Sequence, residues 1–426
     1  MVFATRARIK IKELYTRYNA YTDGDLTLGI SGNTRTFDTD MNTLTNEEIK
    51  RYGRHLVLEE FGINGQQSLK RAKVLVVGAG GLGSPSLLYL AAAGIGTLGI
   101  ADFDTVDLSN LQRQVLFTTE DIGRNKAMAA ADRLQRLNPN ITLHTHTTRI
   151  TAANALELVA AYDVVVDGTD NFPTRYLLND ACVLLDKPLV YGSILRFEGQ
   201  VAVFNWRYAD GHYSANYRDL FPVPPDPSSV PNCEQAGVLG VLPGMIGSMQ
   251  ANEVIKIISG VGEPLADRLL LLESTTMRQQ VIRIKPQGTR SSIKHLLDYD
   301  EFCGISADKS KSLNVNNQEH TMKEVTVQEL KEMIDSGADF QLIDVREPHE
   351  FDICNLQGEL IPQADVPHSV DRISKDKKVV IHCRSGARSG NMVQWLEKNH
   401  GFTNLYNLQG GILAWARDID PEMPTY

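Results

Sequence analysis

The sequence predicts an α/β protein built on a parallel sheet covered on both faces by helices, with a second and smaller α/β unit following it. Three observations predict it. Apolar strand candidates at 73–77, 97–102, 163–167 and 188–191 alternate with helical stretches, the rhythm of parallel strands joined by crossover helices. The first of them runs straight into Gly78-Ala-Gly80-Gly81-Leu-Gly83, a glycine-rich turn where such sheets meet phosphate. Separately, the apolar run Lys377-Lys-Val-Val-Ile-His ends at Cys383 and opens a short loop of glycine, serine and arginine ahead of another helical stretch.

Composition bounds what this fold can serve. A chain of 426 residues suggests two or three domains. The net charge of −9 argues against nucleic acid as the main partner. Five cysteines, Cys182, Cys233, Cys303, Cys354 and Cys383, are scattered singly without a C-x-x-C pair, which points to a reducing compartment rather than a disulfide framework. There is no run of about eighteen apolar residues and no signal-peptide core in the first thirty, so a soluble cytoplasmic protein without a membrane partner is expected.

Residues 1–42 are mixed and weakly patterned, with Asp23-Gly24 and Ser31-Gly32-Asn33 as breakers; this extension carries no assignment. From 43 onward the texture changes. Thr45-Asn-Glu-Glu-Ile-Lys-Arg-Tyr offers a helix cap and then a helical pattern. In Gly78-x-Gly80-x-x-Gly83 the glycines allow a tight turn and close backbone approach to phosphate, and Asp102, nineteen residues beyond Gly83, can hydrogen-bond ribose hydroxyls. Taken alone, that motif makes a nicotinamide dehydrogenase the first reading.

The next residues redirect it. Asp102-Phe-Asp-Thr-Val-Asp-Leu-Ser109-Asn110-Leu-Gln-Arg113-Gln, with Lys126 beyond it, places polar and cationic side chains straight after the ribose position. Hydride transfer needs an apolar pocket for a nicotinamide ring, whereas a triphosphate needs cations that neutralise a departing pyrophosphate. For Arg113 or Lys126 alone a solvated surface charge is the default; their order in the set lowers that default. Asp163-Val-Val-Val-Asp167 then runs into Gly168-Thr-Asp170-Asn171, putting a carboxylate at a strand's carboxyl edge, where Asp170 could hold Mg²⁺ against phosphates.

This set, including Ser109-Asn-Leu-Gln-Arg and Gly168-Thr-Asp-Asn, resembles the MoeB/ThiF family of adenylating enzymes over 44–304. The resemblance implies a Rossmann-like domain with a mixed sheet over 43–304. It also implies ATP-dependent adenylation of the carboxyl-terminal glycine of a ubiquitin-like sulfur carrier protein ending in Gly-Gly. By motif, Gly78, Gly80, Gly81 and Gly83 form the phosphate turn and Asp102 takes the ribose. Ser109, Asn110, Arg113 and Lys126 surround the phosphates, and Asp170 takes Mg²⁺ with Asn171 beside it. Arg54 matches an arginine that the family donates across a dimer interface, which implies a homodimer.

One family feature is absent. The usual structural zinc uses two C-x-x-C pairs, and the matching positions read Asn216-Tyr-Arg-Asp219 and Lys294-His-Leu-Leu-Asp-Tyr-Asp-Glu-Phe-Cys303; four thiolates are not available, so no zinc is expected. His212 and His295 read as exposed polar residues. Cys233 follows the proline-rich Phe221-Pro-Val-Pro-Pro-Asp-Pro-Ser-Ser-Val-Pro-Asn, an extended segment ahead of a helix around 244–258. There the resemblance implies an acyl-accepting or disulfide-forming thiol, with a packing thiol as the competing reading.

In the last quarter, Cys383-Arg384-Ser385-Gly386-Ala387-Arg388 sets a thiol beside loop N–H groups, a helix N-terminus and two guanidinium groups. Such surroundings bring a cysteine pKa from about 8.5 to roughly 3.5–7.5. With Phe340-Gln-Leu-Ile-Asp-Val-Arg-Glu-Pro-His-Glu-Phe and Leu405-Tyr-Asn-Leu-Gln-Gly-Gly-Ile-Leu-Ala-Trp415, the loop resembles rhodanese-type sulfurtransferases over 322–426. Cys354-Asn-Leu-Gln-Gly-Glu stands where that family more often has a histidine. The resemblance implies that Cys383 carries sulfur as a persulfide, loaded by a donor such as a cysteine desulfurase or thiosulfate.

The two halves together resemble the fused adenylyltransferase–sulfurtransferases of molybdopterin and thiolated-metabolite synthesis. Residues 305–321, polar and rich in Lys, Ser and Asn, read as the linker that lets the sites meet. The chemistry expected is formation of an acyl-adenylate and its displacement by persulfide sulfur, directly or through Cys233, to give a carboxyl-terminal thiocarboxylate. Two alternatives stay open: an activating enzyme for protein conjugation with a dispensable second domain, and a non-catalytic nucleotide-sensing scaffold.

Overall fold

The computed structural model describes residues 44–225, 237–304 and 322–425, which form two compact units that part in the chain at Tyr299–Asp300. The expectations for 1–42, for Cys233 and for the linker 305–321 lie outside the described residues.

The first unit opens with helix α1 (Asn46–Arg51), whose Thr45 side chain accepts from the Glu48 N–H while Glu48 reaches back to the Thr45 N–H. This reciprocal cap satisfies two donors that a short helix otherwise leaves open. The sheet runs β3-β2-β1-β4-β5-β6-β7-β8. Its strands are β1 (Lys73–Val77), β2 (Thr97–Ala101), β3 (Thr142–His146), β4 (Val164–Asp167), β5 (Leu189–Leu195), β6 (Glu198–Phe204), β7 (Arg268–Glu273) and β8 (Arg278–Arg283). The five at the β3 side pair in parallel; β6, β7 and β8 extend the sheet antiparallel. Val74–Val77 and Val164–Asp167 are buried throughout, as strands covered on both faces must be.

The order decides where a ligand goes. From β1 the chain steps outward through β2 to β3, then returns to the other side of β1 with β4. The crevice beyond the carboxyl ends of β1 and β4 is therefore the switch point at which open α/β sheets bind ligands. Helices α2 (Gly83–Ala93), α3 (Lys126–Leu137), α4 (Phe172–Leu184) and α5 (Val241–Ser259) surround the sheet. Gly83 opens α2 so close to the turn that a Cβ there would sit 1.8 Å from the Gly78 carbonyl oxygen, and Gly78 itself has φ +89°. Both positions admit glycine alone.

The second unit holds a five-stranded parallel sheet ordered β11-β10-β12-β13-β9. It consists of β9 (Glu324–Val325), β10 (Phe340–Asp344), β11 (Glu359–Leu360), β12 (Lys378–His382) and β13 (Leu405–Leu408). Helix α6 (Pro348–Ile353) follows β10, and α7 (Ala387–His400) follows β12. Cys383 is packed into the core with Ile381, Val393 and Leu396. Among the described residues no helix is long and apolar enough to cross a membrane.

Candidate active sites

A cleft of about 940 Å³, counted out to solvent, opens at the switch point of the first sheet. The turn after β1 contributes Gly78, Gly80 and Gly81, the end of β2 contributes Asp102 and Asp104, and the loop after β4 contributes Asp170 and Asn171. Arg113, Lys126, Arg149 and Arg175 supply positive charge to the same walls. Lys126 is buried, with its Nζ 3.5 Å from an Asp104 oxygen.

Asp102 is fixed from both sides: its carboxylate accepts from the Ala79 N–H at 2.7 Å and from the Asp104 N–H at 2.9 Å. Burial pushes its carboxyl above the usual range, and those two N–H donors and Lys126 pull the other way. A rigid acceptor at the end of β2 is what holding a ribose diol requires. Asn171 has a structural task besides lining the cleft, since its side chain caps α4 by accepting from the Thr174 N–H at 3.0 Å. The exposed carboxylate of Asp170 fits a divalent cation shared with phosphates.

The cleft contains residues that sequence reasoning missed. Arg175 donates to the Thr169 carbonyl at 3.0 Å and lies over the Tyr191 ring at 5.5 Å, with Asp167 at 3.7 Å. It sits one helical turn inside α4, and only the fold turns it toward the loop after β4. Asp167 is fully buried, and desolvation raises its carboxyl while Arg175 and Thr169 oppose the shift. Gln114 and Arg149 also line the cleft. Gln114 adjoins Arg113 in the motif and could have been nominated; nothing local marks Arg149.

Other nominated residues fall outside the lining. Gly83 shapes the turn from behind. Ser109 and Asn110 lie on a short 3-10 turn, Leu108–Asn110, tied to Asp107. Arg54 is exposed on the helix Gly53–Leu56.

In the second unit Cys383 is 1 % exposed, and its sulfur accepts from the Gly386 N–H at 3.2 Å and the Ser389 N–H at 3.4 Å. Gly386 has φ +93°, and a Cβ there would stand 3.2 Å from the Leu408 carbonyl oxygen. This left-handed turn aims two N–H groups at one sulfur, a cradle for negative charge. Arg384 is half-buried, while Ser385 and Ala387 are exposed on the loop. Arg388, expected to favour a thiolate, makes a bidentate pair with Glu350 of α6, at 2.7 and 2.6 Å.

Beneath the loop, Arg346 is fully buried. It clasps Asp344 and donates to the Cys354 carbonyl at 2.8 Å, so the segment containing the unusual Cys354 is held by a buried guanidinium. His382, one residue before Cys383, is also fully buried. Desolvation lowers it to about 4, with Asp344 opposing and Arg346 reinforcing the shift, so its imidazole is neutral at pH 7.

The positions of the family's structural zinc do not fit that metal. Asn216 donates to Asp219 at 2.9 Å and to the Thr289 hydroxyl at 2.8 Å. Asp219 accepts from the Gln287 N–H at 2.9 Å and the Thr289 hydroxyl at 2.7 Å. Arg218 forks onto Asp180, which also accepts from the Tyr299 hydroxyl at 2.6 Å. Oxygen and nitrogen atoms thus join the two segments that paired thiolates would join elsewhere. Among the described residues no group of three or more His, Cys, Asp or Glu side chains could hold a metal ion. His212 and His295 are exposed.

Comparison with known proteins fits this division. The ThiF family model matches residues 52–292 and the rhodanese-like domain model residues 326–418. The chain is 45 % identical over 386 residues to a probable adenylyltransferase/sulfurtransferase MoeZ of Mycobacterium tuberculosis, covering 90 % of this chain and 96 % of that protein. It is 44 % identical over 405 residues to the adenylyltransferase and sulfurtransferase MOCS3 of Culex quinquefasciatus, covering 90 % of each. A crystal structure of Escherichia coli MccB with a MccA analogue aligns with a TM-score of 0.50 at 22 % identity over 57 % of this chain and 75 % of that one, a likeness of fold alone.

Proposed function

Because the chain belongs to the ThiF family and carries a rhodanese-like domain after it, we propose that it adenylates the terminal glycine of a ubiquitin-like sulfur carrier protein and turns it into a thiocarboxylate with sulfur held on Cys383. A carboxylate is a poor electrophile, and ATP supplies the activation. The carrier's terminal carboxylate attacks the α-phosphorus, pyrophosphate leaves, and Arg113, Lys126 and Arg175 neutralise the charge that builds as it departs. Asp102 holds the ribose. Asp170 would hold Mg²⁺, which would supply Lewis-acid stabilisation of the negative charge on the phosphates.

Sulfur follows a second route. The Cys383 thiolate takes a sulfur atom from a donor such as a cysteine desulfurase or thiosulfate, and the terminal sulfur of the persulfide attacks the acyl carbon as AMP departs. The resulting acyl disulfide is opened by a second thiol, which releases the thiocarboxylate and leaves a disulfide on the enzyme. Cys233 is our candidate for that thiol. Val238 lines the nucleotide cleft, and the five residues from Cys233 to it span at most roughly 18 Å of extended chain.

A homodimer in which Arg54 serves the neighbouring copy's cleft, and a reducing, cytoplasmic setting, complete the proposal. The observation that carries it is the pairing in one chain of a cation-lined nucleotide cleft with a buried cysteine sulfur cradled by two backbone N–H groups. The test is mass spectrometry of the carrier's carboxyl terminus after incubation with enzyme, Mg-ATP and a persulfide donor. A gain of one sulfur in exchange for oxygen supports the reading; an isopeptide product, or no pyrophosphate release, sinks it.

A further inference from the structure

Ser389 and Asn407 form a hydrogen-bond chain behind the Cys383 sulfur that neither the loop motif nor the proposed chemistry uses. The Ser389 hydroxyl oxygen lies 3.4 Å from the sulfur, 3.2 Å from the Gly386 carbonyl oxygen and 2.6 Å from Asn407 Oδ1. Ser389 is fully buried and Asn407 is 4 % exposed. The orientation of the Asn407 amide follows from its far side, where it meets the Glu324 carboxylate at 3.3 Å. A carboxylate only accepts, so the amide NH₂ faces Glu324 and Oδ1 faces Ser389.

A hydroxyl has one proton to give. At 2.6 Å the Asn407 oxygen holds that proton more firmly than the carbonyl or the sulfur, both farther away. In this arrangement Ser389 turns a lone pair toward the sulfur and can accept from an S–H. When the thiol loses its proton to solvent, the hydroxyl must swing from Asn407 to the thiolate to give it a third donor besides the two backbone N–H groups. We propose that Asn407 is a positioning residue that competes with Cys383 for the Ser389 proton, and so sets the balance between the neutral and the nucleophilic sulfur. The inference rests on the reading of Cys383 as the sulfur-carrying nucleophile.

Charged and titratable groups surround this chain on every element packed against it. On the strand, His382 is buried and its imidazole neutral. On the loop and α7, Arg384 is half-buried and Arg388 is engaged by Glu350 of α6. From β10, Asp344 is clasped by Arg346. From β9, Glu324 is linked to the sulfur through Asn407 and Ser389. Among the described residues, the Ser389 hydroxyl brings a mobile proton within 3.4 Å of the sulfur.

The consequence has an unexpected sign: removing a buried hydrogen-bond partner should make the cysteine more reactive. In the full-length protein, Asn407→Leu frees the hydroxyl for the thiolate. It should raise the rate of iodoacetamide alkylation of Cys383 at pH 6.5, followed by mass spectrometry of its peptide, about tenfold, and move the midpoint of the pH–rate profile downward. Asn407→Asp, which puts a stronger acceptor on Ser389, should move the midpoint upward. Ser389→Ala added to Asn407→Leu should cancel the gain.

A midpoint that stays put or rises in Asn407→Leu overturns the proposal, as does a gain that survives Ser389→Ala. If Asn407→Leu fails to fold, Asn407→Asp decides in combination with Ser389→Ala: an upward shift that disappears with the hydroxyl supports the proposal, and one that survives its loss is the carboxylate's own charge and overturns it. Failure of the underlying reading registers separately: thiocyanate formation from thiosulfate and cyanide that persists in Cys383→Ala would show that another residue carries the sulfur.

Discussion

Arg388 meets Glu350 in a two-pronged ion pair, with contacts of 2.7 and 2.6 Å between the first turn of α7 and helix α6. Glu350 is 5 % exposed and its backbone carbonyl accepts from the buried Arg346 at 3.3 Å. The pair therefore joins the sulfur loop to the buried clasp beneath it. Glu350→Ala leaves a largely covered guanidinium without its carboxylate and should lower stability by about 2–4 kcal/mol. Thiocyanate formation from thiosulfate should fall while ATP–pyrophosphate exchange persists; an unchanged denaturation midpoint with full activity would refute the role given to this pair.

Asp170→Ala should abolish Mg-ATP-dependent pyrophosphate exchange and leave sulfur loading of Cys383 intact. The residue lines the nucleotide cleft, while the sulfur loop belongs to the other compact unit. Near-normal exchange in this variant would remove Asp170 from the metal role.

Two thiols should separate by product. Cys383→Ala should still form acyl-adenylate but give no thiocarboxylate from a persulfide donor unless free sulfide, which attacks the activated carbonyl directly, is added. Cys233→Ala should keep adenylation and persulfide loading, with sulfur transfer slowed. Mass spectrometry of the carrier's carboxyl terminus follows each species, and thiocarboxylate made at the wild-type rate by Cys383→Ala without sulfide would count against the second domain as the sulfur source.

His382 makes the second unit sensitive to mild acid. Its folded value of about 4 lies below the ordinary histidine value because burial disfavours the imidazolium. Between these two values the unfolded chain binds the extra proton, so stability is complete above about pH 6.5 and declines as pH falls toward 4, by roughly 3 kcal/mol at most. Hydrogen-exchange protection of Lys378–His382, corrected for the intrinsic pH dependence of exchange, should drop from pH 7 to pH 5. His382→Gln should flatten that slope, and an equally steep slope in the variant would assign it to other groups.

Strand β1 was legible to the residue, and the glycine turn with it, because a run buried on both faces is apolar without interruption and ends where the backbone needs glycine. Lys126, Arg113 and Asp170 could be nominated from their order after that turn. Arg175 could not, since one arginine inside a helix looks the same whether it faces solvent or a cleft, and only the packing of α4 against β4 and β5 decides. For the same reason the sequence shows the charge of Arg388 but not its carboxylate partner Glu350, thirty-eight residues earlier. Asn407 gave no signal at all, as its place behind the sulfur depends on β13 pairing with β12.

The polar staple between 216–219 and 287–299 predicts its own test. Asp219→Ala should strand the Gln287 N–H and the Thr289 hydroxyl and lower stability by about 1–3 kcal/mol. In the unmodified protein a strong chelator should leave the melting temperature unchanged, and elemental analysis should find no stoichiometric zinc. About one zinc per chain, or a chelator-induced loss of fold, would overturn this account.

That staple has a chemical side as well as a mechanical one. Sulfane sulfur is passed from one thiol to the next, and a cluster of thiolates gripping a metal is a set of nucleophiles that such sulfur, or the oxidants that accompany it, can modify. A joint made from carboxylates, amides, hydroxyls and a guanidinium offers no sulfur atom to attack. A protein that handles activated sulfur can in this way hold its architecture together with bonds inert to its own cargo.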